Sequence, residues 1–153
     1  MKCLLDESYS EVYMGSAQHQ VGEFHLITPI ASRHGVITYR AYHRALEREV
    51  AVKVIATDSA HLASMLKGAR SCAALEHLHI VAIYGCGQIE HAAQPTLYIA
   101  MRLMRGGSLE SAADARNGAF SPTELLRWYT QTRAALEYAH NHGRIHGRIT
   151  LSN

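Results

Sequence analysis

The spacing of apolar and polar residues changes along the chain in a few sharp steps. Residues 1 to about 20 carry Ser, Gln, Glu and Gly with little period and read as a loosely ordered leader. From Phe24 the period shortens to two. FHLITPI and VITYRAY are β-rich runs separated by ASRHG, which predicts a hairpin with a polar turn. REVAVKVIA, Arg48 to Ala56, alternates and is rich in Val, so a third strand is expected. Helical spacing takes over from Ser59 to Leu78, with Ser59 as the expected cap and Leu62, Met65, Leu66, Ala69 and Ala73 on one face. Gly68 inside that helix costs about 1 kcal/mol against Ala. IVAIYGCGQIE and PTLYIAMRLM read as two more strands. This order predicts an α+β fold, a five-stranded antiparallel sheet carrying one helix.

Beyond RGGSLESAADARNGAF the helical period returns. SPTELLRWYTQTRAALEYAHNHG opens with Ser121 as N-cap, Pro122 at the first helical position and Glu124 three residues after the cap, a capping box with a well-placed proline. Leu125, Trp128, Tyr129, Thr132, Leu136 and Ala139 keep the spacing, and Gly143 is a natural stop.

Composition narrows the class. The 153 residues suit one domain, and 48% apolar against 18% charged residues describes a folded chain. A net charge of +2 without a basic stripe argues against nucleic acid. No 18-residue apolar run predicts a membrane span, and MKCLLDESYS lacks the apolar core of a signal peptide. Cys3, Cys72 and Cys86 form no pairing pattern, which points to reduced thiols in a cytoplasm. Eleven histidines invite a metal. His77 and His79 sit at a helix-to-strand corner, and His140, His142 and His146 near the end, but no cysteine joins them at a finger-like spacing. Structural roles are expected for them.

Three stretches carry candidate chemistry. Lys53 closes VAVK on an apolar strand, where an ammonium must meet something polar; it is placed to reach phosphate oxygens or to snorkel. MRLMRGGSL, Met101 to Leu109, is strand-to-helix punctuation with Ser108 able to cap. The chain closes on IHGRITLSN. Each is weak alone; their order is not. VAVK, a helix, HLHIVAIYG, LYIAMRLMRGGSL and LEYAHNHGRIHGRITLSN succeed one another at the spacing of the eukaryotic-type protein kinase fold. The chain resembles the bacterial serine/threonine branch of that family from Val21 to Asn153.

The resemblance implies a leader (1–20), a small lobe with hinge (21–104) and the start of a helical large lobe (105–153). It implies that Lys53 contacts the α- and β-phosphates of ATP and that Ala51 flanks adenine. Ile30 and Thr38 would line its roof, Met101 would be the gatekeeper, and backbone groups of Arg102 and Met104 would bond its edge. Four of the family's parts are altered. The glycine-rich loop maps onto IASRHGVITYRA, where its three glycine positions hold Ala31, Arg33 and Val36, with Gly35 one place out. Arg33 would have to donate by its side chain. The helix glutamate that pairs the strand lysine falls at Gly68, and Glu76 lies too far on to replace it. The catalytic loop maps onto His146, Gly147, Arg148 and Asn153, so Arg148 stands where the family has its general base; a guanidinium stays protonated and takes no proton. Thr150 replaces the loop lysine, and Asn153 matches the metal-binding asparagine.

The D-F-G segment would lie past Asn153, which reads as a family member cut short before it. The expectation is a kinase-like domain without competent catalytic residues, a pseudokinase retaining weak ATP binding and holding magnesium poorly. The alternatives are a scaffold that docks a protein partner, or a second copy of itself, through the uncovered Leu125–Ala139 face, and a truncated copy of an active serine/threonine kinase.

Overall fold

The computed structural model describes residues 20–33, 35–89, 92 and 94–152. The elements in chain order are β1 (Gln20–Val21), β2 (Phe24–Arg33), β3 (Val36–His43), β4 (Arg48–Ala56), α1 (Ser59–Ala73), β5 (Ile83–Gln88), β6 (Thr96–Arg102), α2 (Leu109–Ala115) and α3 (Pro122–Asn141). The strands form one antiparallel sheet in the order β1-β2-β3-β4-β6-β5.

The sheet thus has six strands where five are expected from the pattern. The extra one, β1, begins at Gln20, inside the stretch read as leader; the rest of that stretch lies outside the described residues. Gly22 adopts φ +56°, a left-handed conformation that lets the chain reverse within two residues. Val21 then pairs with Phe24 and is buried. The β2–β3 hairpin is also tighter than ASRHG suggests. Gly35, at φ +74°, closes it in a two-residue connection, so Ala31, Ser32 and Arg33 pair with Thr38, Ile37 and Val36.

Strict alternation along β4 sorts the two faces. Val50, Val52 and Val54 are buried, paired with Ala41, Tyr39 and Ile37 of β3. With Val21, Phe24, Leu26 and Ala100 they form the core on one side of the sheet. Helix α1 packs against β5 and β6 and buries Ala69. Its cap is Asp58 rather than Ser59, because the Asp58 carboxylate accepts the His61 N–H at 2.9 Å. The helix stops at Ala73, short of Leu78: the Ile80 N–H turns back to the His77 carbonyl (3.0 Å) and the His79 N–H donates to His77 Nδ1 (3.2 Å).

The chain divides into two units, one of residues up to Ala74 with Ala82–Leu103, the other of Leu75–Val81 with the residues from Met104 on. In the second, Ser108 caps α2 and Ser121 caps α3, each through a reciprocal capping box, and Pro122 opens α3. Glu124 accepts the Ser121 N–H and hydroxyl at 2.9 Å each and Arg116 Nη1 at 2.7 Å. Burial is very uneven. Every buried apolar residue among those described lies in the first unit except Ala139. Leu125, Leu126, Tyr129, Ile145, Ile149 and Leu151 are all exposed in the second.

These contacts set two expected outcomes. A Cβ on Gly87 would lie 2.9 Å from the Tyr98 ring, itself held edge-on against Phe24 at 5.9 Å. Gly87→Ala should therefore cost about 1–3 kcal/mol, read as a lower midpoint in thermal unfolding. The hydrogen bond from the Ser121 backbone, then those from Arg116 and the Ser121 hydroxyl, hold Glu124 down to about 2 from its ordinary 4.5. A carboxyl lowered in the folded state stabilises above its unfolded pKa and loses that contribution as pH falls toward the folded value. Helicity followed by circular dichroism should decline from about pH 4.5 toward 2, and Glu124→Gln should remove that part of the acid limb.

Candidate functional site

Antiparallel register places residues of neighbouring strands side by side on one face of the sheet. On the face opposite the core, one row runs Thr28, Arg40, Ala51, Met101, Ile83 across β2, β3, β4, β6 and β5. The next runs Ala31, Thr38, Lys53, Ile99, Cys86. Thr38, Ala51, Lys53 and Met101, far apart in sequence, thus lie in two adjacent rows. Ala51 is 6% exposed; Lys53, Thr38 and Met101 are half-buried. Ile30 is the extra residue of a β-bulge between Pro29 and Ala31 and is 48% exposed. Arg40, Ile99 and Cys86 share these rows and were not singled out from the sequence; the period of two on β3, β5 and β6 was the available signal.

Lys53 sits mid-sheet, flanked by Thr38 on β3 and Ile99 on β6. Among the described residues its ammonium makes no ion pair. Gly68 lies in the interior of α1, exposed, and a Cβ there would meet nothing within 4 Å. Glu49, two residues before Ala51, is turned to Arg40 at 3.7 Å.

At the end of β6 the Arg102 N–H donates to the Ala82 carbonyl (2.9 Å). Met104 belongs to the second unit and is 57% exposed; among the described residues no hydrogen bond uses its N–H, and its carbonyl accepts the Gly107 N–H at 3.4 Å. Arg148 lies in an exposed irregular segment, its N–H donating to His146 Nδ1 at 3.2 Å. The same segment is tied down by the Glu110 N–H, which donates to the Leu151 carbonyl at 2.9 Å. Asn153 lies outside the described residues.

Two of the described histidines, His77 and His142, lie against one tyrosine ring. His77 stacks on Tyr138 (5.1 Å between centroids, 28°), and Tyr138 lies 4.2 Å from His142. Among the described residues no three His, Cys, Asp or Glu side chains are grouped to hold a metal. Buried His43 accepts the Leu46 N–H on Nδ1 (3.2 Å) and faces Glu23 with Nε2 (3.3 Å).

An antiparallel sheet with one helix on its end strands, a lysine on the middle of an inner strand and a helical segment beyond the last strand defines a protein-kinase-type small lobe and the start of a helical large lobe. The comparisons agree. The model of the protein tyrosine and serine/threonine kinase family matches residues 31–153. The serine/threonine-protein kinase PknB of Mycobacterium leprae is 33% identical over 112 residues, 71% of this chain and 18% of that protein. PrkC of Bacillus subtilis is 29% identical over 136 residues, 86% of this chain and 20% of the relative. PksC of Streptomyces coelicolor is 30% identical over 120 residues, 74% and 22%. The chain belongs to the protein kinase family. It spans about a fifth of the length of these curated relatives.

Because Gly68 is exposed and open, replacing it should help the helix. Gly68→Ala is expected to raise stability by about 1 kcal/mol, measured by urea denaturation, opposite in sign to Gly87→Ala.

Proposed function

We propose that this chain is a nucleotide-binding protein kinase domain that does not transfer phosphate. One observation carries the reading: Thr38, Ala51, Lys53 and Met101 share a sheet face in adjacent rows, while the family's general-base position is held by Arg148. In this reading Ile30, Thr38, Ala51 and Met101 supply the apolar surface for adenine. The backbone of Arg102, at the end of β6, recognises its edge, which survives side-chain change. Lys53 meets the phosphates, and its lack of an ion partner among the described residues leaves the ammonium available to an anion.

Catalysis is another matter. Arg148 accepts no proton, and loss of a general base costs about 10²–10⁴ in rate. The Ala31–Arg33 strand is paired with β3, and side chains stand where glycine would let the backbone approach phosphate. The two rows around Lys53 offer no carboxylate to a magnesium ion, which prefers hard oxygen ligands. Magnesium is therefore poorly held by these rows. The described thiols, Cys72 and Cys86, are free, which suits a reducing compartment such as the cytoplasm. No helix of the described residues is long and apolar enough to cross a membrane.

Thermal unfolding with ATP tests the reading. At ten times its dissociation constant, ATP should stabilise by about 1.4 kcal/mol. The shift should persist without magnesium and vanish in Lys53→Ala. No shift at millimolar ATP would end the binding claim, and metal-dependent phosphoryl transfer by this chain would end the claim of inactivity.

A further inference from the structure

One buried imidazole takes no part in the face around Lys53. His43 ends β3 on the core side, with Tyr39 and Ala41, and is 6% exposed. Its ring meets Phe24 edge-on, 4.9 Å between centroids. Both ring nitrogens are engaged. Nδ1 accepts the Leu46 N–H at 3.2 Å, and Nε2 lies 3.3 Å from Glu23 Oε2. A backbone N–H only donates, so Nδ1 carries no proton. The neutral ring therefore holds its proton on Nε2 and donates it to the Glu23 carboxylate.

This fixes what a second proton does. An imidazolium donates from both nitrogens and accepts at neither. Charging His43 sets two N–H groups against each other at Nδ1, and the Leu46 bond is lost. The turn that this bond closes, residues 44–47, is held in a costly shape. Glu47 sits at φ +47°, a left-handed conformation uncommon outside glycine, and its N–H reaches the Arg44 carbonyl at 3.2 Å. Leu46 is 54% exposed, so moving it outward gives up little burial. Of the charges near the ring, Glu23 in the β1–β2 turn is in contact and favours an imidazolium. Arg48, opposite His43 on β4, is exposed, and its guanidinium lies 3.8 Å over the Tyr84 ring of β5. Arg44 and Glu47, one of each sign, belong to the turn itself. Tyr98 of β6 lies behind Phe24, and burial pushes its hydroxyl up, so it stays neutral. His25 of β2 and Glu49 of β4 both pair with Tyr42 and lie on the opposite face.

We infer that His43 is an acid-released latch on the β3–β4 turn, closed while Nδ1 is free of a proton and opened when the ring becomes charged. The open turn binds one proton more than the closed one, so acid favours it. The charged ring keeps Glu23, now as an ion pair, while Leu46 and Glu47 are released to water. The device lies on the core side of the sheet and does not depend on the nucleotide reading.

Nitrogen-15 NMR of the full chain between about pH 8 and 5, the range in which imidazole titrates, tests the latch. At the upper end His43 should show the Nε2–H tautomer. As it charges, protection of the Leu46 amide against hydrogen exchange, corrected for the intrinsic pH dependence of exchange, should fall by up to about tenfold per pH unit. The Val52 amide, in the core strand, should keep its protection. Glu23 is exposed, so Glu23→Gln should fold. Lacking the carboxylate that favours the charged ring, it should open at lower pH. His43→Asn retains an acceptor for turn N–H groups that does not charge, and its Leu46 protection should not vary with pH. Should the shorter side chain upset the core, Glu23→Gln decides by itself. Four results overturn the inference: the Nδ1–H tautomer at the upper end; a charged His43 with the Leu46 amide still protected; a ring still neutral at the lower end; or a folded variant whose Leu46 amide responds to pH as the original does.

Discussion

The packing of Val50, Val52 and Val54 into the core is the constraint on which the rest of the first unit depends. A strand shows alternate residues to opposite faces, so burying these three valines leaves Ala51 and Lys53 no choice of side. A register slip of one residue would expose the valines and bury an ammonium, which costs far more than either strand can return. The lysine's position is thus enforced by its apolar neighbours. Pairing with β3 and β6 then brings Thr38 and Met101 beside it.

The same sheet explains why some family parts tolerate loss and others do not. Surface for a flat apolar ring needs small or apolar side chains in register, and the core secures that register. Backbone recognition at the end of β6 needs only the path of the chain. Pairing of the lysine and proton transfer depend instead on individual functional groups at single positions, and in the proposed reading Gly68 and Arg148 stand at those positions. Nothing in the packing opposes either change: Gly68 is open to solvent and Arg148 lies on an exposed segment. If the proposed reading holds, a fold retained while its reactive groups drift is the pattern expected where core burial carries the stability.

The second unit obeys different physics. Its helices are held in shape by local devices, the capping boxes at Ser108 and Ser121 and the Glu124 network, rather than by a core. Capping decides where a helix starts but gives an apolar face nothing to pack on.

From the residues alone, the three long strands, both main helices, the α3 capping box and the kinase resemblance were legible, because period, caps and ordered motifs are local or additive signals. The sixth strand was not: two residues, Gln20 and Val21, carry no period, and their pairing depends on the turn at Gly22 and on a core assembled from distant segments. Asp58 displaced Ser59 as a cap because the choice rests on which side chain reaches the His61 N–H, a matter of backbone angle. The rows that set Arg40 beside Ala51 and Cys86 in line with Lys53 were likewise decided only by register across five strands. Sequence determined the elements and their chemistry; tertiary structure decided neighbours, since neighbours across a sheet are fixed by long-range pairing and burial that no single segment encodes.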